Sequence, residues 1–514
     1  MLFPLLSGSA EPVNPDKTAF EICETGESVS FAQLEARANQ VAHLLRASGV
    51  TKGEHVALVM KNGRRLLEAC FGMDRAGVYY TTISTRLTAT EAAYIVNDCG
   101  AKLLLISDDV ECDTAELHTL VGEQVRCFRT GLGPASFPDW CAALDAAPRT
   151  PIADAAQGLD MLYSSGTTGK PKGVKWPLLD VPAGQPTMLV SLLAPLFGYG
   201  PECRYLSPAP LYHAAPLRHS MTVIKRGGTV YVMNSFDASR ALALIQQHRI
   251  THAQWVPTMF VRMLKLPQAE RELFDVSSLQ VAIHAAAPCP VEVKEQMLAW
   301  WGPIIHEYYA GTENNGFCSI TAPEWLAHKG SVGRASQGTL HICDDEGNEL
   351  PAGESGVVYF SDGPEFVYHN DAARTAKARN AQGWTTLGDI GRMDDEGYLY
   401  LLDRRDFMII SGGVNVYPQE AENILLQHPK VLDVAVIGVP NADFGEEVKA
   451  VVQLLDPSAQ SPALAEELMQ FCRQHLAAFK CPRSVDFEDA LPRHATGKLY
   501  KKKVRDRYWP AKSS

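Results

Sequence analysis

The sequence predicts an α/β protein: a large N-terminal part built of two doubly wound α/β layers with a small β-barrel-like subdomain, followed by a small, mobile α+β part. Three observations favour this fold class. The chain has 514 residues, more than a single hydrophobic core usually serves. Strand-like apolar runs alternate with amphipathic helices in two separate blocks, a pattern typical of βαβ units and parallel sheets. From about Gly330 onwards, short β-like runs are separated by Gly-containing turns.

Strands and helices alternate in two blocks of the chain, which lie within residues 31–162 and 229–256. Helical periodicity of about 3.6 residues marks the helices, and short continuous apolar runs mark buried strands. In chain order, the helices and strands predicted by these two patterns are 31–45, 54–60, 66–76, 78–83, 101–106 and 159–162, then 229–233, 238–248 and 252–256.

The last third of the chain divides near residue 403. The β-like runs before this point indicate a small antiparallel sheet or barrel, whereas helices and strands alternate after it. We therefore expect two domains, 1–403 and 404–514. The predicted elements are strands 338–343, 356–360 and 398–402, followed by helix 417–428, strands 434–438 and 448–453, and helix 464–478.

The charge and the cysteine content limit the classes of function that the chain could have. The formal net charge is −12, which argues against a protein whose main task is to neutralise nucleic-acid phosphates. Residues 493–507 nevertheless carry a net charge of +6. Twelve cysteines without a CxxC pair, the absence of a basic N-terminal signal and the absence of about 18 consecutive apolar residues predict a cytoplasmic protein with no membrane span.

Residues 163–173 read YSSGTTGKPKG and follow a predicted strand. Glycines at 166, 169 and 173 let the backbone approach an anion closely, while hydroxyls and two lysines supply hydrogen-bond donors and positive charge. This combination is what binding of a polyphosphate requires. The segment is not a Walker loop, because that motif needs glycine at Ser164 and serine or threonine at Pro171.

This loop resembles the signature segment of the adenylate-forming superfamily, which includes acyl-CoA synthetases, peptide-synthetase adenylation domains and beetle luciferases. Five further segments resemble that family in order and spacing, so the likeness covers essentially the whole chain. They are HAAAP at 284–288, YYAGTE at 308–313, TLGD at 386–389, DRRDFMIISGG at 403–413 and PRHATGK at 492–498. In overall look the chain is most similar to bacterial ligases that join fatty or ring-containing acids to CoA.

The resemblance implies an ATP site. The loop residues implied to hold the β- and γ-phosphates are Ser164, Ser165, Gly166, Thr167, Thr168, Gly169, Lys170 and Lys172. The other implied ATP-binding residues are Ala286, Ala287, Glu307, Tyr308, Tyr309, Gly311, Asp389 and Arg404. Tyr309 would stack on adenine, Asp389 would accept the ribose hydroxyls, and Thr312 with Glu313 would hold the α-phosphate and Mg²⁺. The family usually has glycines at the positions of Ala285 and Ala286, so alanine is expected to narrow the adenine slot slightly without blocking it.

The resemblance also implies how the small domain works. Lys498 is the main catalytic candidate, because a fixed ammonium beside the α-phosphate stabilises charge that develops in the transition state. Lys501, Lys502 and Lys503 are expected to be solvated lysines of a basic tail. Asp406 matches the hinge about which the small domain rotates. After the rotation, CoA would meet Ser411, Gly412, Gly413 and, as a weaker candidate, Lys480.

The predicted acyl pocket is the least specific part of the site. By family position its residues are His213, Trp255, Thr258, His284, Ala310, Asn314, Asn315 and Gly316. Small residues at Ala285, Ala310 and Gly316 suggest a roomy cavity, whereas the histidines and asparagines could meet a polar group. His284 is equally compatible with a core histidine. The pattern favours a hydrophobic acid that is bulky and cyclic or of medium to long chain.

We therefore expect an ATP-dependent acid–CoA ligase that uses Mg²⁺ and releases AMP and pyrophosphate. Three alternatives remain open: a stand-alone enzyme that loads a carrier protein, a luciferase-like oxygenase and a non-catalytic ATP-binding protein. The expected partners are a small carboxylic acid, ATP and CoA, with no nucleic acid, and a homodimer is left open. The absence of a fused carrier domain after Lys498 favours free CoA.

Overall fold

The structure, a computed structural model, describes residues 13–107, 110–131, 137–164, 171–493 and 499–509. The chain divides into two compact units. The first contains the described residues up to Trp255, together with Arg262–Ile283 and Glu365–Thr375. The second contains Val256–Val261, His284–Pro364 and the described residues from Ala376 onwards. Within the described ranges, no helix has both the length and the apolar character needed to cross a membrane.

Helices and strands alternate in the first part of the chain. Up to residue 175 they are β1 (Thr18–Ile22), β2 (Glu27–Ser30), α1 (Phe31–Ala47), β3 (His55–Val59), α2 (Arg64–Arg75), β4 (Tyr79–Ile83), α3 (Ala89–Asp98), β5 (Ala101–Ser107), α4 (Thr114–Val121), β6 (Arg126–Thr130), α5 (Trp140–Asp145), β7 (Leu159–Asp160), β8 (Leu162–Ser164) and β9 (Lys172–Lys175).

The alternation continues through the middle of the chain. The elements are α6 (Met188–Phe197), β10 (Arg204–Ser207), α7 (Ala214–Lys225), β11 (Thr229–Val232), α8 (Ala238–His248), β12 (His252–Trp255), α9 (Pro257–Leu264), α10 (Gln268–Arg271), β13 (Val281–His284), α11 (Val291–Trp301), β14 (Ile305–Tyr309), β15 (Phe317–Ile320), α12 (Ala322–Ala327) and β16 (Arg334–Gln337).

Short strands dominate the last third until the final helices. The elements are β17 (Thr339–Cys343), β18 (Ser355–Ser361), β19 (Val367–Tyr368), α13 (Ala372–Lys377), β20 (Thr385–Met393), β21 (Leu399–Arg404), β22 (Ile409–Ser411), β23 (Val414–Val416), α14 (Pro418–Leu425), β24 (Val431–Asn441), β25 (Gly445–Leu454), α15 (Pro462–His475), β26 (Ser484–Phe487) and α16 (Lys501–Arg505), with 3₁₀ turns at Arg405–Phe407, Pro457–Ala459 and Ala478–Lys480.

The first unit contains two layers of parallel strands. One is a five-stranded sheet in the order β6-β5-β3-β4-β7, in which every neighbouring pair is parallel. All five residues of β3 and of β4 are buried, as expected for strands covered on both faces. In the other layer β12, β10, β11 and β1 are parallel, and β2 joins the edge antiparallel. The two predicted doubly wound layers are confirmed.

The strand predicted over 159–162 is divided at Met161. Its first part, β7, extends the parallel sheet beside β4. Its second part, β8, pairs antiparallel with β9 in a separate three-stranded sheet whose other edge is β19. A single predicted strand therefore contributes to two different sheets, which its sequence pattern alone does not reveal.

The second unit contains the small antiparallel sheet and the C-terminal α+β part. Strands β17, β18, β20 and β21 form the sheet in that order around a core that includes Ile342, Val358 and Phe360. Farther along the chain, β24 and β25 pair antiparallel over ten positions, and β26 lies parallel to β25. Helices α14 and α15 bury Leu425 and Leu468 against this second sheet. The predicted barrel-like subdomain and small α+β part are confirmed.

Candidate active site

The base of the predicted phosphate loop is fixed by strands β8 and β9. Ser164 and Lys172 are cross-strand neighbours, so the loop begins and ends at the same edge of this small sheet. The Ser164 hydroxyl is buried and has no hydrogen-bond partner among the described residues. The Lys172 ammonium lies 4.4 Å from the Tyr368 ring centroid and donates to the Tyr368 hydroxyl at 2.9 Å. Ser165, Gly166, Thr167, Thr168, Gly169 and Lys170 lie outside the described residues.

Gly173, in strand β9, occupies a position that needs a glycine. A Cβ atom at this position would lie 2.8 Å from Cζ of Tyr163, closer than real Cβ contacts. The Tyr163 hydroxyl in turn donates to the Asp98 carboxylate on α3. This hydrogen bond joins β8 to helix α3.

The segment 310–316 connects the antiparallel strands β14 and β15 in the second unit. It carries the catalytic candidates Thr312 and Glu313 and the pocket candidates Ala310, Asn314, Asn315 and Gly316. Asn314 has a φ of 48°, in the left-handed region that asparagine tolerates better than most residues. Glu313, Asn314 and Asn315 are all buried.

Asp389 lies at the centre of a hydrogen-bonded group in the second unit. It faces Arg404 as a cross-strand partner of β20 and β21, and its Oδ1 is 3.0 Å from Arg404 Nε. Its Oδ2 accepts a hydrogen bond of 2.6 Å from the Tyr309 hydroxyl. The Asp389 carboxylate raises the pKa of Arg404 above its ordinary value. Burial raises the pKa of Tyr309 above its ordinary value, and the charge of Asp389 acts in the same direction. The structure therefore brings three of the predicted nucleotide residues together.

Glycine at 311 is required by its surroundings. A Cβ atom there would lie 2.5 Å from Cδ1 of Leu387 and 2.9 Å from Oε2 of Glu313. The Glu313 carboxylate thus lies directly over the backbone at Gly311. A carboxylate oxygen is a ligand that Mg²⁺ binds readily. This ion is commonly bound by only one or two protein carboxylates, together with phosphate oxygens and water. Among the described residues there is no cluster of three or more His, Cys, Asp or Glu side chains that could hold a metal ion.

Ala286, expected to line the adenine slot, adopts a φ of 76°. Alanine rarely adopts this left-handed conformation, which costs an L-residue with a Cβ roughly 1–2 kcal/mol. The glycine that the resemblance implies at this position would avoid this strain, so alanine differs from it in backbone strain as well as in size. Ala287 shows no positive φ.

Glu307 and His284 belong to a buried charge cluster beside the nucleotide residues. Lys294 Nζ lies 2.6 Å from Glu307 Oε2, and His284 Nε2 lies 3.3 Å from the same oxygen. Lys294 is fully buried and its ammonium lies 4.7 Å from the Trp325 ring centroid. Burial alone would raise the pKa of Glu307, but His284 and Lys294 outweigh it and hold that pKa well below its usual value. The carboxylate predicted to bind ATP is thus engaged within the protein.

The other predicted nucleotide and pocket residues occupy diverse positions. Tyr308 is buried and its ring stacks on Phe317 at 4.9 Å. In the first unit, His213 is the N-cap residue of α7 and Trp255 is a fully buried residue at the end of β12. Thr258 is a half-buried residue of α9 in the second unit.

The expectation that Gly316 opens a roomy cavity is wrong. A Cβ atom at 316 would lie 2.1 Å from Cδ1 of Phe360, so the aromatic ring occupies the space that the missing side chain leaves. Asn315 donates to the Thr385 hydroxyl at 3.2 Å, while its buried Oδ1 has no hydrogen-bond partner among the described residues. Asn314 donates to Gln337 at 3.2 Å. The glycine is explained by packing between strands of the second unit rather than by an enlarged pocket.

The predicted CoA loop is a tight hairpin turn between β22 and β23. Ser411 pairs with Val414, and the two residues between them, Gly412 and Gly413, have φ values of 59° and 79°. Positive φ at both central residues is what a two-residue hairpin favours, and glycine adopts it without steric cost. Gly413 has open space around the position of an added Cβ. Lys480 is less available than predicted, because its ammonium lies 2.6 Å from Glu420 Oε2.

The predicted hinge residue Asp406 is an exposed residue in the 3₁₀ turn Arg405–Phe407. Its carbonyl accepts a hydrogen bond of 3.1 Å from the Arg505 guanidinium. Arg405, directly before it, forms an exposed ion pair of 3.0 Å with Asp345 in the antiparallel subdomain. The turn is thus tied by surface contacts to elements that precede and follow it in the chain.

The basic C-terminal segment is only partly solvated. Lys501 was expected to be a solvated lysine, and this expectation is wrong: it is buried and lies 2.8 Å from Glu422 Oε1. Lys503 is exposed, as expected, and Lys502 is half-buried. Lys498, the main catalytic candidate, lies outside the described residues.

Several residues of this region escaped the sequence interpretation. Tyr368 contacts Lys172, Phe360 fills the space beside Gly316, and Lys294 neutralises Glu307. These contacts join residues that are 13 to 196 positions apart, and they follow no spacing rule. A lysine on the apolar face of a helix, such as Lys294, is the only one of these that carried a sequence signal.

The fold and these nucleotide residues together define an adenylate-forming enzyme, and comparison with known proteins identifies the family. The model of the AMP-binding enzyme family matches residues 9–366, and the model of the AMP-binding enzyme C-terminal domain matches residues 420–498. The chain belongs to the AMP-binding enzyme family. The predicted membership of the adenylate-forming superfamily is confirmed.

Individual relatives resemble the chain over nearly its full length. It is 32% identical over 507 residues to the long-chain-fatty-acid–CoA ligase FadD13 of Mycobacterium tuberculosis, covering 96% of each chain. It is 31% identical over 499 residues to the fatty acid–[acyl-carrier-protein] ligase ScoC of Streptomyces coeruleorubidus, covering 95% of this chain and 93% of that one. The crystal structure of the anthranilate CoA ligase AuaEII with anthranoyl-AMP matches with a TM-score of 0.85 and 27% identity, covering 97% and 95%. The predicted enzyme class, an AMP-forming acid–thiol ligase, is confirmed.

Proposed function

We propose that this protein is an ATP-dependent acid–CoA ligase acting on a hydrophobic carboxylic acid. The observation that carries the proposal is the group formed by Tyr309, Asp389 and Arg404, next to a buried Glu313. A carboxylate held by a tyrosine hydroxyl and a guanidinium provides hydrogen-bond acceptors for ribose hydroxyls at a fixed place. Membership of the family indicates the type of reaction, and this group of residues has the chemistry to bind the nucleotide that the reaction uses.

In the first half-reaction an oxygen of the substrate carboxylate attacks the α-phosphorus of ATP. A new P–O bond forms, the bond from the α-phosphorus to the bridging oxygen breaks, and pyrophosphate leaves with that electron pair. We assign Lys498 to the charge that develops on the phosphate oxygens, and Ser164 and Lys172 to the departing phosphates. Glu313 and Thr312 are the proposed ligands of the α-phosphate and Mg²⁺, an ion that supplies Lewis-acid stabilisation when bound.

In the second half-reaction the thiol of CoA attacks the acyl carbonyl of the adenylate. A C–S bond forms, the C–O bond to AMP breaks, AMP leaves with that electron pair, and the thiol proton passes to solvent. We assign the turn at Ser411, Gly412 and Gly413 to the passage of the pantetheine chain, because glycines at the turn present no side chains. Lys480 would need to release Glu420 before it could meet a CoA phosphate.

We propose that residues 1–403 form the ATP- and acid-binding domain and residues 404–514 a mobile cap. Asp406 is the proposed hinge. Its exposed 3₁₀ turn can change its backbone angles by breaking surface contacts, namely the ion pair of Arg405 with Asp345 and the hydrogen bond from Arg505. Exposed ion pairs of this kind are weak, so breaking them costs little.

The proposed substrate class is a bulky cyclic or medium- to long-chain acid. FadD13 is named for long-chain fatty acids, and AuaEII for anthranilate, a ring-containing acid. The buried Oδ1 of Asn315 adds a polar acceptor that a hydroxyl or amino group on the acid could satisfy if it reached this position. Because the Phe360 ring occupies the space beside Gly316, we do not attribute the proposed width of the acyl pocket to that glycine.

A carrier protein is the second candidate acceptor, since ScoC is named as an acyl-carrier-protein ligase. The two acceptors are distinguished by incubating the enzyme with ATP, a hydrophobic acid and either CoA or a phosphopantetheinylated carrier protein. Acyl-CoA formation without acylated carrier supports the leading proposal, and the reverse result supports the alternative. A cytoplasmic location fits the twelve cysteines, all of which are unpaired. Light scattering at twice the chain mass of 56.2 kDa would support a homodimer.

The decisive test of the mechanism is substitution of Lys498. We expect Lys498→Ala to abolish acid-dependent exchange of pyrophosphate into ATP while leaving thioester formation from a preformed acyl-adenylate intact. Lys503→Ala is the matched control, because Lys503 is an exposed lysine of the same basic segment. Undiminished exchange in Lys498→Ala would refute the proposed role. Pyrophosphate release across fatty, aromatic and steroid-like acids then defines the substrate class, and a uniform response would contradict a bulky-acid preference.

A further inference from the structure

Asn62 is a buried amide that holds two other segments of the first unit. Its Nδ2 donates to the carbonyls of Ala209 and Met233, at 3.1 and 2.7 Å, and its Oδ1 accepts from the amide of Leu211 at 2.7 Å. Ala209, Leu211 and Met233 are buried too, so these backbone groups need partners inside the protein. One side chain therefore provides three hydrogen bonds to the backbone of two separate segments.

The side chain at position 62 is matched to its partners by polarity as well as by size. An amide offers two N–H donors and a carbonyl acceptor, which is what two carbonyls and one backbone N–H require. Turning the Asn62 amide over would bring its oxygen against two carbonyls and its NH₂ group against the N–H of Leu211. The partners thus determine the orientation of the amide, and an ionised aspartate would lack both donors.

The three hydrogen bonds lie at the carboxyl ends of parallel strands. Asn62 follows β3, the segment 209–213 follows β10, and Met233 follows β11. Strand β3 belongs to the five-stranded sheet, whereas β10 and β11 are neighbours in the other layer. Ligands of α/β proteins bind outside the carboxyl ends of the strands. Asn62 therefore joins the two layers at the edge where a substrate is expected.

The segment 209–213 leads to His213, a predicted residue of the acyl pocket. Thr82 of β4 holds this segment as well, because its Oγ1 donates to the carbonyl of Tyr212 at 3.1 Å. The Tyr212 ring lies 4.6 Å from the half-buried ring of His213. Trp255, another predicted pocket residue, ends β12, the parallel neighbour of β10. The hydrogen bonds from Asn62 and Thr82 thus fix the backbone that carries one pocket residue, at the strand edge where a second one lies.

We propose that Asn62 is a positioning residue for the acid: it holds the segment 209–213 so that His213 meets the acyl group at a fixed place. This role rests on the proposed function, because it takes His213 as a group that meets the acid. The backbone groups that Asn62 binds belong to none of the residues assigned to ATP. Its effect is therefore expected on the choice of acid and not on the nucleotide.

The test is Asn62→Ala, which removes all three hydrogen bonds. The substrates are palmitate, cinnamate and cholate as straight-chain, aromatic and steroid acids, with CoA and with pyrophosphate release as the signal. We expect kcat/KM for the best of these acids to fall about 10- to 100-fold, because a small misplacement within a site has effects of this size. KM for ATP should stay within about twofold, and the relative kcat/KM values of the three acids should change.

Thr82→Val provides a milder form of the same test. It removes only the hydrogen bond to the Tyr212 carbonyl and keeps a side chain of similar shape. The relative kcat/KM values should change in the same direction as in Asn62→Ala, but by a smaller factor. If Asn62→Ala does not fold, an unchanged preference in Thr82→Val overturns the inference.

Gln40→Ala is the matched control. Gln40 is also a buried amide: its Nε2 donates to the carbonyls of Leu144 and Ala147, at 2.8 and 3.2 Å, and its Oε1 accepts from Arg37 at 3.2 Å. A smaller amount of folded enzyme lowers kcat for every acid by the same factor, so this variant should keep the relative kcat/KM values. If Asn62→Ala keeps them too, or if both variants change them alike, the inference is overturned.

A double-mutant cycle shows whether Asn62 acts through His213. In a His213→Ala background the ring is absent, so adding Asn62→Ala should change the relative kcat/KM values by less than about a further twofold. Full additivity of the two substitutions would mean that Asn62 acts on the acid by another route, which would overturn the inference.

The outcomes also separate this inference from the proposed function. If His213→Ala changes the acid preference and Asn62→Ala does not, the pocket assignment stands and only the positioning role fails. If His213→Ala affects no acid, the assignment of His213 fails and the positioning role fails with it, while the ligase reaction stands. If the unsubstituted protein forms neither acyl-CoA nor acylated carrier protein from any acid, the proposed function itself fails.

Discussion

Tyr309 and Arg404 each hold one oxygen of the Asp389 carboxylate, at 2.6 and 3.0 Å. The three residues come from β14, β20 and β21, so their meeting depends on the packing of two sheets in the second unit. A neutral side chain at 389 would weaken both contacts, because hydrogen bonds to a charged group are stronger than neutral ones. The same negative charge would let the Asp389 carboxylate accept strong hydrogen bonds from two ribose hydroxyls.

Asp389→Asn should therefore raise KM for ATP by about 10- to 100-fold, since a hydrogen bond to a charged group contributes about 1.5–3 kcal/mol. Steady-state kinetics with varied ATP measures the effect. Asp394→Asn is the control, because Asp394 accepts a hydrogen bond of 3.0 Å from the Tyr400 hydroxyl in the same subdomain without being a nucleotide candidate. Equal changes in KM for the two variants would argue against a nucleotide role for Asp389.

Ala286 gives a second prediction at the scale of one residue. Its φ of 76° is unfavourable for alanine and free of steric cost for glycine. The gain from relieving the strain, roughly 1–2 kcal/mol, exceeds the loss of about 0.5–1 kcal/mol from the greater freedom of glycine in the unfolded chain. Ala286→Gly should thus raise the midpoint of urea unfolding, whereas Ala287→Gly should lower it. A lower midpoint for Ala286→Gly would show that the alanine methyl is needed for packing.

The elements around the nucleotide residues are joined by a buried charge cluster. Lys294 comes from α11, Glu307 from β14 and His284 from the end of β13. Because the pKa of Glu307 is held below its unfolded value of about 4.3, its pairing stabilises the fold above that pH and is lost as the pH falls towards the folded pKa. Burial lowers the pKa of His284, so this residue also favours unfolding once the pH falls below about 6.5.

A variant with Lys294→Met and Glu307→Gln should show a flatter acid response. Between about pH 5 and pH 3 the unsubstituted protein is expected to lose about 1–3 °C more in its apparent melting temperature than the variant does. The decline below about pH 6.5 that His284 causes should persist in both proteins. Calorimetric scans across this pH range provide the measurement. Parallel curves below pH 5 would mean that Glu307 is not stabilised by its partners.

At the scale of the whole molecule, the sequence predicts the architecture better than the contacts. Strands such as β3 and β4 are recognisable because apolar runs and helical periodicity are local patterns. The division of the strand over 159–162 between two sheets is not local, and neither is the burial of Lys501 against Glu422. The family motifs placed Tyr309, Asp389 and Arg404 at one site, but the ring of Phe360 beside Gly316 could not be read from any motif.

The proposed division of the chain at residue 403 implies that the two half-reactions need different placements of the cap. Proline at 406 tests this idea, since its fixed φ of about −65° suits a 3₁₀ turn and it retains the carbonyl that accepts from Arg505. The substitution should leave the fold intact while restricting the backbone rotation that a hinge requires.

We expect Asp406→Pro to reduce one half-reaction at least about tenfold more than the other, because a cap restricted in its rotation can serve only one of them well. Pyrophosphate exchange measures the first half-reaction, and consumption of preformed acyl-adenylate by CoA measures the second. Asp406→Ala leaves the backbone free and should keep both rates within about twofold of their original values. Equal rates in the proline variant would identify Asp406 as an ordinary surface residue, and the cap would then have to reach both placements by movement elsewhere in the chain.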